Sequence, residues 1–199
     1  MPRAGINKNR LRKIIHKQAR RQLQKHAQAH ALKKIEEAKR IMLNEFNNHP
    51  VTKEIEAGPN AANSSGTLGG VGNLFSFIGF RTGDRPIEPV RKLLENSTKL
   101  ISIKPKAKGQ LDFEILIDLP TKEEIASASP VPWAAARSWV IGIEQGLSGF
   151  GEFLVEPGQG RSGQAIQVKG AIRTGKFKNR KYVSQILSRL HYYLMKSIS

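Results

Sequence analysis

LRKIIHKQARRQLQKHAQAHALKKIEEAKRIMLNEF, residues 11–46, contains neither proline nor glycine. Its apolar residues fall at Leu11, Ile15, Ala19, Leu23, Ala27, Leu32, Ile35, Ala38, Met42 and Phe46, spacings of three to five that predict one continuous helix with an apolar stripe. At about 1.5 Å per residue this helix is about 50 Å long, more than a small domain needs for its own core. The first half is thin in large apolar side chains and crowded with Arg12, Lys13, Lys17, Arg20, Arg21 and Lys25. It reads as an arm that meets other chains, and the second half as docked on the body. The expected organisation is a basic helical arm over 1–46 and a single α+β domain over 47–199.

Charge follows the same division. The formal net charge is +17 over 199 residues. Residues 1–45 carry +10, 46–156 carry −2, and 157–199 carry +9 with no acid at all. Two basic ends around a near-neutral middle point to contact with a polyanion or an acidic protein surface. In the second run the candidate contacts are Arg161, Arg173, Lys176 and Lys178. The absence of cysteine excludes disulfides, Cys-ligated zinc and thiol catalysis. No apolar run approaches a membrane span, and the start has no secretory apolar core, so a soluble chain without a membrane partner is expected.

Beyond the helix, residues 57–72 (AGPNAANSSGTLGGVG) are uncharged and rich in Gly, Asn and Ser. They predict a flexible loop that orders only against neighbours. Residues 72–80 (GNLFSFIGF) read as an aromatic strand, and a short helix is expected over 88–94 with Val90, Leu93 and Leu94 inward. Strands at 100–104 and 111–118 flank a turn at Lys108-Gly109, the second placing Leu111, Phe113, Ile115 and Ile117 on its inner face. Thr121 and Glu124 form a capping box for a brief helix stopped by Pro130 and Pro132. Residues 138–146 (SWVIGIEQG) show Trp139, Ile141 and Ile143 at period two and predict a strand, as do residues 164–173. Tyr182, Val183, Ile186, Leu187, Leu190, Tyr193 and Leu194 predict a terminal helix. The fold class is α+β: a central, largely antiparallel sheet with a hairpin arm, framed by N- and C-terminal helices.

Motifs for chemistry fail on context. Gly158, Gly160 and Gly163 spell G-x-G-x-x-G, but a strand-like segment follows and no acid lies beyond Glu156, so the dinucleotide reading lacks its helix and its ribose carboxylate. His26 and His30 have metal-sharing spacing without an accompanying carboxylate, amid repelling cations. His16, His49 and His191 are isolated. Asp112, Glu114 and Asp118 alternate as a solvent face does. The expectation is a non-enzyme with no cofactor. Phe75, Phe77 and Phe80 lie in a cation-free stretch, which points to packing rather than base stacking.

NHPVTKEIEAG (48–58), SGTLGGVGNLFSFIGF (65–80), SWVIGIEQG (138–146) and GRSGQAIQVKGAIRTGKF (160–177) together resemble the neck or tail-completion (head–tail joining) proteins of tailed bacteriophages. In that family a long N-terminal helix leads to a glycine-bounded G-x-L segment. A small sheet with an aromatic residue before V/I-E-x-G follows, then a basic loop and a last helix. The PVPWAAARSW segment and the very basic start depart from the pattern. The resemblance implies a structural virion protein assembled in the host cytoplasm, forming a hexameric or dodecameric ring around the DNA channel between the head and the tail. It implies adjacent portal or adaptor proteins, tail-terminator or tube proteins, and non-specific DNA contact in the lumen. Gly66, Leu68, Gly72 and Leu74 would form an assembly loop.

The alternative is a basic ribonucleoprotein subunit of ribosomal type, gripping RNA backbone through its two ends. The uncharged 57–80 stretch counts against it, because RNA-facing loops are usually cationic.

Overall fold

The computed structural model describes residues 8–68, 72–106, 113–132, 134–145 and 180–198. The fold is α+β, with a long first helix, small antiparallel hairpins and a C-terminal helix laid along the first. Helix α1 (Lys8–Asn48) is a single run of 41 residues, about 60 Å long at the usual rise.

Its apolar row does not stay on one face. Four residues advance a helix by about 400°, so a row at i, i+4 turns by about 40° per step. Leu11, Ile15 and Leu23 are 47%, 54% and 39% exposed, whereas Ala31 and Ile35 on the same row are buried. The row starts on the outside and winds into the body near Ala27. Leu32, expected inward, is out at 45%, because Ala31 takes the inward position ahead of Ile35, Ala38, Met42 and Phe46. The second half of the helix is thus docked, contributing Ala31, Ile35, Ala38, Met42 and Phe46 to the core.

Helix α2 (Pro50–Glu56) starts on His49 as N-cap, with proline in its first turn. Next comes a 3-10 turn, Gly58–Asn60. The segment read as an aromatic strand is instead helix α3 (Leu74–Ile78), with Leu74, Phe75 and Ile78 buried. Asn73 caps its start by accepting from the Ser76 amide (2.9 Å), and Gly79 ends it at φ +89, a left-handed conformation that glycine takes freely. Those two residues enclose too short a run for periodicity to decide. Helix α4 (Ile87–Ser97) buries Ile87, Val90 and Leu94, and Leu93 packs at the edge of the core.

Strands β1 (Lys99–Pro105) and β2 (Phe113–Asp118) pair antiparallel with a bulge between Leu100 and Ser102. β2 alternates half-buried Phe113, Ile115 and Ile117 with exposed Glu114, Leu116 and Asp118, as its pattern predicts; Leu111 and the turn lie outside the described residues. Helix α5 (Lys122–Ala128) carries the complete Thr121/Glu124 capping box. A second ladder joins β3 (Pro130–Val131) to β4 (Ala134–Ser138). Among the described residues the antiparallel structure is thus two separate two-stranded ladders rather than one central sheet.

Part of the reason is that residues 139–145 are not a strand. They form α6 (Trp139–Gln145), whose buried residues Trp139, Val140 and Ile143 follow helical spacing. Ser138 Oγ accepts from the Ile141 amide (3.1 Å) at its start. The strand expected over 164–173 lies outside the described residues. Helix α7 (Val183–Ile198) packs along the docked half of α1, burying Val183, Ile186, Leu190 and Leu194. The core is held together by aromatics from distant segments. The Tyr182 ring centre lies 5.7 Å from Phe46 and 6.2 Å from Trp139, which meets Phe80 edge-on at 6.2 Å.

Candidate functional site

Three features could carry function: the projecting half of α1, the glycine-bounded loop, and the polar cluster around Tyr182. On α1, Arg12, Lys13, Lys17, Arg21 and Lys25 are exposed and Arg20 is half-buried. The hairpin reaches the arm near its inner end, where Gln24 Nε2 donates to the Ile103 carbonyl (3.3 Å). Outward from there, Leu11, Ile14, Ile15 and Leu23 are large apolar side chains left in solvent. Isolated exposed leucines are ordinary. These four share one projecting half-helix, whereas the other exposed large apolar residues, Leu32, Ile41, Ile101, Leu116, Tyr192 and Met195, are spread over the rest of α1, the hairpin and α7.

The loop is not the free segment that its composition predicts. Glu54, 1% exposed, projects from α2 and accepts from the Ser65 amide (2.7 Å) and the Leu74 amide (2.8 Å). Ser65 Oγ donates to Thr67 Oγ1 (2.8 Å), and Asn73 Nδ2 donates to the Pro59 carbonyl (2.7 Å). Gly66 and Gly72 have φ of +63 and +66, which explains the residue type at both positions. Leu68 and Leu74 are buried in the chain's own core. The loop's outer surface remains available for assembly, but its anchors are internal.

Around Tyr182, the hydroxyl and Thr52 Oγ1 share a 2.6 Å hydrogen bond, and burial pushes the phenol pKa up. Glu144, the acid of the V/I-E-x-G motif, accepts from the Tyr182 amide (3.2 Å) and the Ser184 amide (2.7 Å), fixing the first turn of α7. The His49 ring lies 4.6 Å from that of Tyr182, and its Nδ1 accepts from the Val51 amide (3.3 Å). Burial is the main cause that lowers the His49 pKa, aided by Arg180 and Arg189 and opposed by Glu45.

The sign of the linkage follows. The unfolded chain takes up a proton near the ordinary value of 6.5, whereas the folded chain resists it. Stability from this site is therefore complete above about pH 6.5 and is lost as the pH falls through and below that value. Thermal melts of wild type and His49→Asn, which keeps a capping acceptor, are expected to diverge from the neutral range down to about pH 5.5, with wild type falling faster. Parallel pH profiles would remove His49 from this role.

No group of three His, Cys, Asp or Glu suited to a metal occurs among the described residues. A groove of about 400 Å³ between α5, α6 and α7 is lined mainly by apolar residues such as Ile125, Val140 and Leu187, with Glu144 at its edge. His26 and His30 are exposed on α1, and Glu114 and Asp118 on the outer face of the hairpin. Gly158, Gly160, Gly163, Asp112, Arg161, Arg173, Lys176 and Lys178 lie outside the described residues. Among those described, no helix is long and apolar enough to cross a membrane. No family model, curated protein or solved structure matches the chain.

Proposed function

We propose that the chain is a non-enzymatic structural subunit of a symmetric assembly, and specifically a ring-forming neck or tail-completion protein of a tailed phage. The observation that carries the assembly reading is the projecting half of α1, which leaves Leu11, Ile14, Ile15 and Leu23 exposed. A helix extended beyond its own core costs conformational entropy with little burial in return. In a cyclic ring each subunit offers one surface and receives another, so an arm can be buried on the next copy. The specific identity rests on the short sequence motifs that resemble the head–tail joining proteins, with portal-side and tail-side proteins as neighbours and DNA in the channel; the strand that the family pattern places at residues 138–146 is helix α6 here.

The test is purification after nuclease treatment, followed by mass measurement and imaging. The expected product is a closed ring of six or twelve copies that contains no nucleic acid. A particle that collapses on nuclease treatment would favour the ribonucleoprotein alternative and overturn this reading. So would a chain that stays monomeric at all concentrations, with and without candidate neighbours.

A further inference from the structure

Lys13, Lys17, Arg21 and Lys25 stand at i, i+4 along the projecting half of α1, and all four are exposed. Side chains at this spacing are neighbours on a helix surface, and like charges there destabilise the helix. The same segment has no acidic residue in its first turn, where the helix dipole would favour one, and the first acid in the sequence is Glu36. Among the described residues none of the four cations makes an ion pair. Among the described residues the helix therefore keeps a line of mutually repelling charges without an acidic partner.

The four cations form a row of their own, although Ile14 lies beside Lys13 and Lys17, and Arg12 lies beside Leu11 and Ile15. Lys13 lies two positions from both Leu11 and Ile15, and two residues turn a helix by about 200°, to the opposite side. The row Leu11, Ile15, Ala19, Leu23 and the row Lys13, Lys17, Arg21, Lys25 thus climb the same arm on opposite faces. A protein partner needs an apolar centre to its contact, and the apolar row offers one. The basic row offers four cations and, at its edge, the single apolar side chain of Ile14, so charge dominates it, which is what a phosphate backbone requires.

We propose that the row Lys13, Lys17, Arg21, Lys25 is a docking strip for the phosphate backbone of nucleic acid, without base reading. The strip needs the arm but not a ring, so it stands or falls separately from the assembly proposed above. Phosphates alongside the row relieve the repulsion, so the arm gains helix when nucleic acid binds. Affinity falls steeply with salt, because each neutralised phosphate releases counterions.

The test uses the full chain and a 20-base-pair duplex of arbitrary sequence, with anisotropy measured between about 50 and 200 mM salt. One variant carries Lys13→Gln, Lys17→Gln, Arg21→Gln and Lys25→Gln. A control loses the same charge elsewhere, through Lys92→Gln, Lys99→Gln, Lys104→Gln and Lys122→Gln, all exposed positions. Glutamine keeps good helix propensity, so the arm persists in the first variant.

The strip variant is expected to lose about 3 to 4 from the slope of log affinity against log salt. Over this salt range its affinity then falls about a hundredfold less than that of wild type. The control should keep most of the wild-type slope. Circular dichroism should show helix gained on duplex addition in wild type and not in the strip variant. Equal losses in both variants would mean attraction by net charge alone and overturn the proposal. Tighter binding to poly-glutamate of matched charge than to the duplex would overturn it in favour of an acidic protein partner. Mass measurement on the same samples separates the two proposals: duplex binding without a ring defeats only the assembly, and a ring without salt-dependent binding defeats only the strip.

Discussion

Replacing Glu54 with alanine is expected to destabilise the folded chain by about 2 to 6 kcal/mol. The carboxylate is the acceptor for two buried amides, those of Ser65 and Leu74, and each buried donor left without a partner costs about 1 to 3 kcal/mol. Against a typical net stability of about 5 to 15 kcal/mol the loss is severe. Its structural consequence is local first. The two bonds tie residues 65 and 74 to α2, so their removal frees both ends of the glycine-bounded segment and loosens the seat of buried Leu68 and Leu74. Urea titration gives the magnitude, and hydrogen exchange at the two amides gives the location. Glu54→Gln keeps an acceptor oxygen and the volume, and should retain part of the stability. If Glu54→Ala unfolds within about 0.5 kcal/mol of wild type, as a surface change does, the anchoring account is wrong.

This carboxylate also shows where the sequence stops being readable. Within KEIEAG, Glu54 looks like any solvated helical acid, because nothing local marks that its partners come from residues 65 and 74. The same loop looked free by composition, since glycine and serine signal flexibility only when no distant group claims their amides. Long, strongly patterned elements were legible: α1 without a break, the β1–β2 hairpin with its faces, the Thr121/Glu124 cap, and α7 with its buried row. In the two aromatic segments each helix is too short for its spacing to declare itself, although the buried sets, Leu74, Phe75 and Ile78 in one and Trp139, Val140 and Ile143 in the other, are helical. What marks each as a helix is the capping chemistry, Asn73 with Gly79 in one and Ser138 in the other. Those caps mark helix starts that neither the aromatic content of residues 72–80 nor the period-two spacing of Trp139, Ile141 and Ile143 reveals. For the candidate site, the basic arm was visible from charge alone. The course of its apolar and basic rows was not, because a spacing of three to five residues does not show the 40° drift per step.

Deleting residues 1–25 is expected to leave a folded body that no longer assembles. The buried part of α1 begins at Ala31, so among the described residues the cut removes no core side chain. It does remove Gln24 and its bond to the Ile103 carbonyl, a loss of about 1 kcal/mol at the hairpin. It also removes the repulsion among Lys13, Lys17, Arg21 and the other cations of the arm, which partly offsets that loss. Circular dichroism should therefore show the helix lost from the deleted residues and little else, with a cooperative melt close to that of the full chain. Assembly should respond differently. If neighbours bury the apolar row, Leu11, Ile15 and Leu23 supply the centre of that contact, and its removal should shift sedimentation from ring to single subunit. Leu11→Ser with Ile15→Ser should reproduce most of the shift while leaving every cation in place, which isolates the apolar row from the charge. Salt should affect this association only weakly, unlike duplex binding, because apolar burial is not screened. A truncated chain that fails to fold would show that the arm is part of the body, and one that still forms rings would show that the arm is not how the subunits meet.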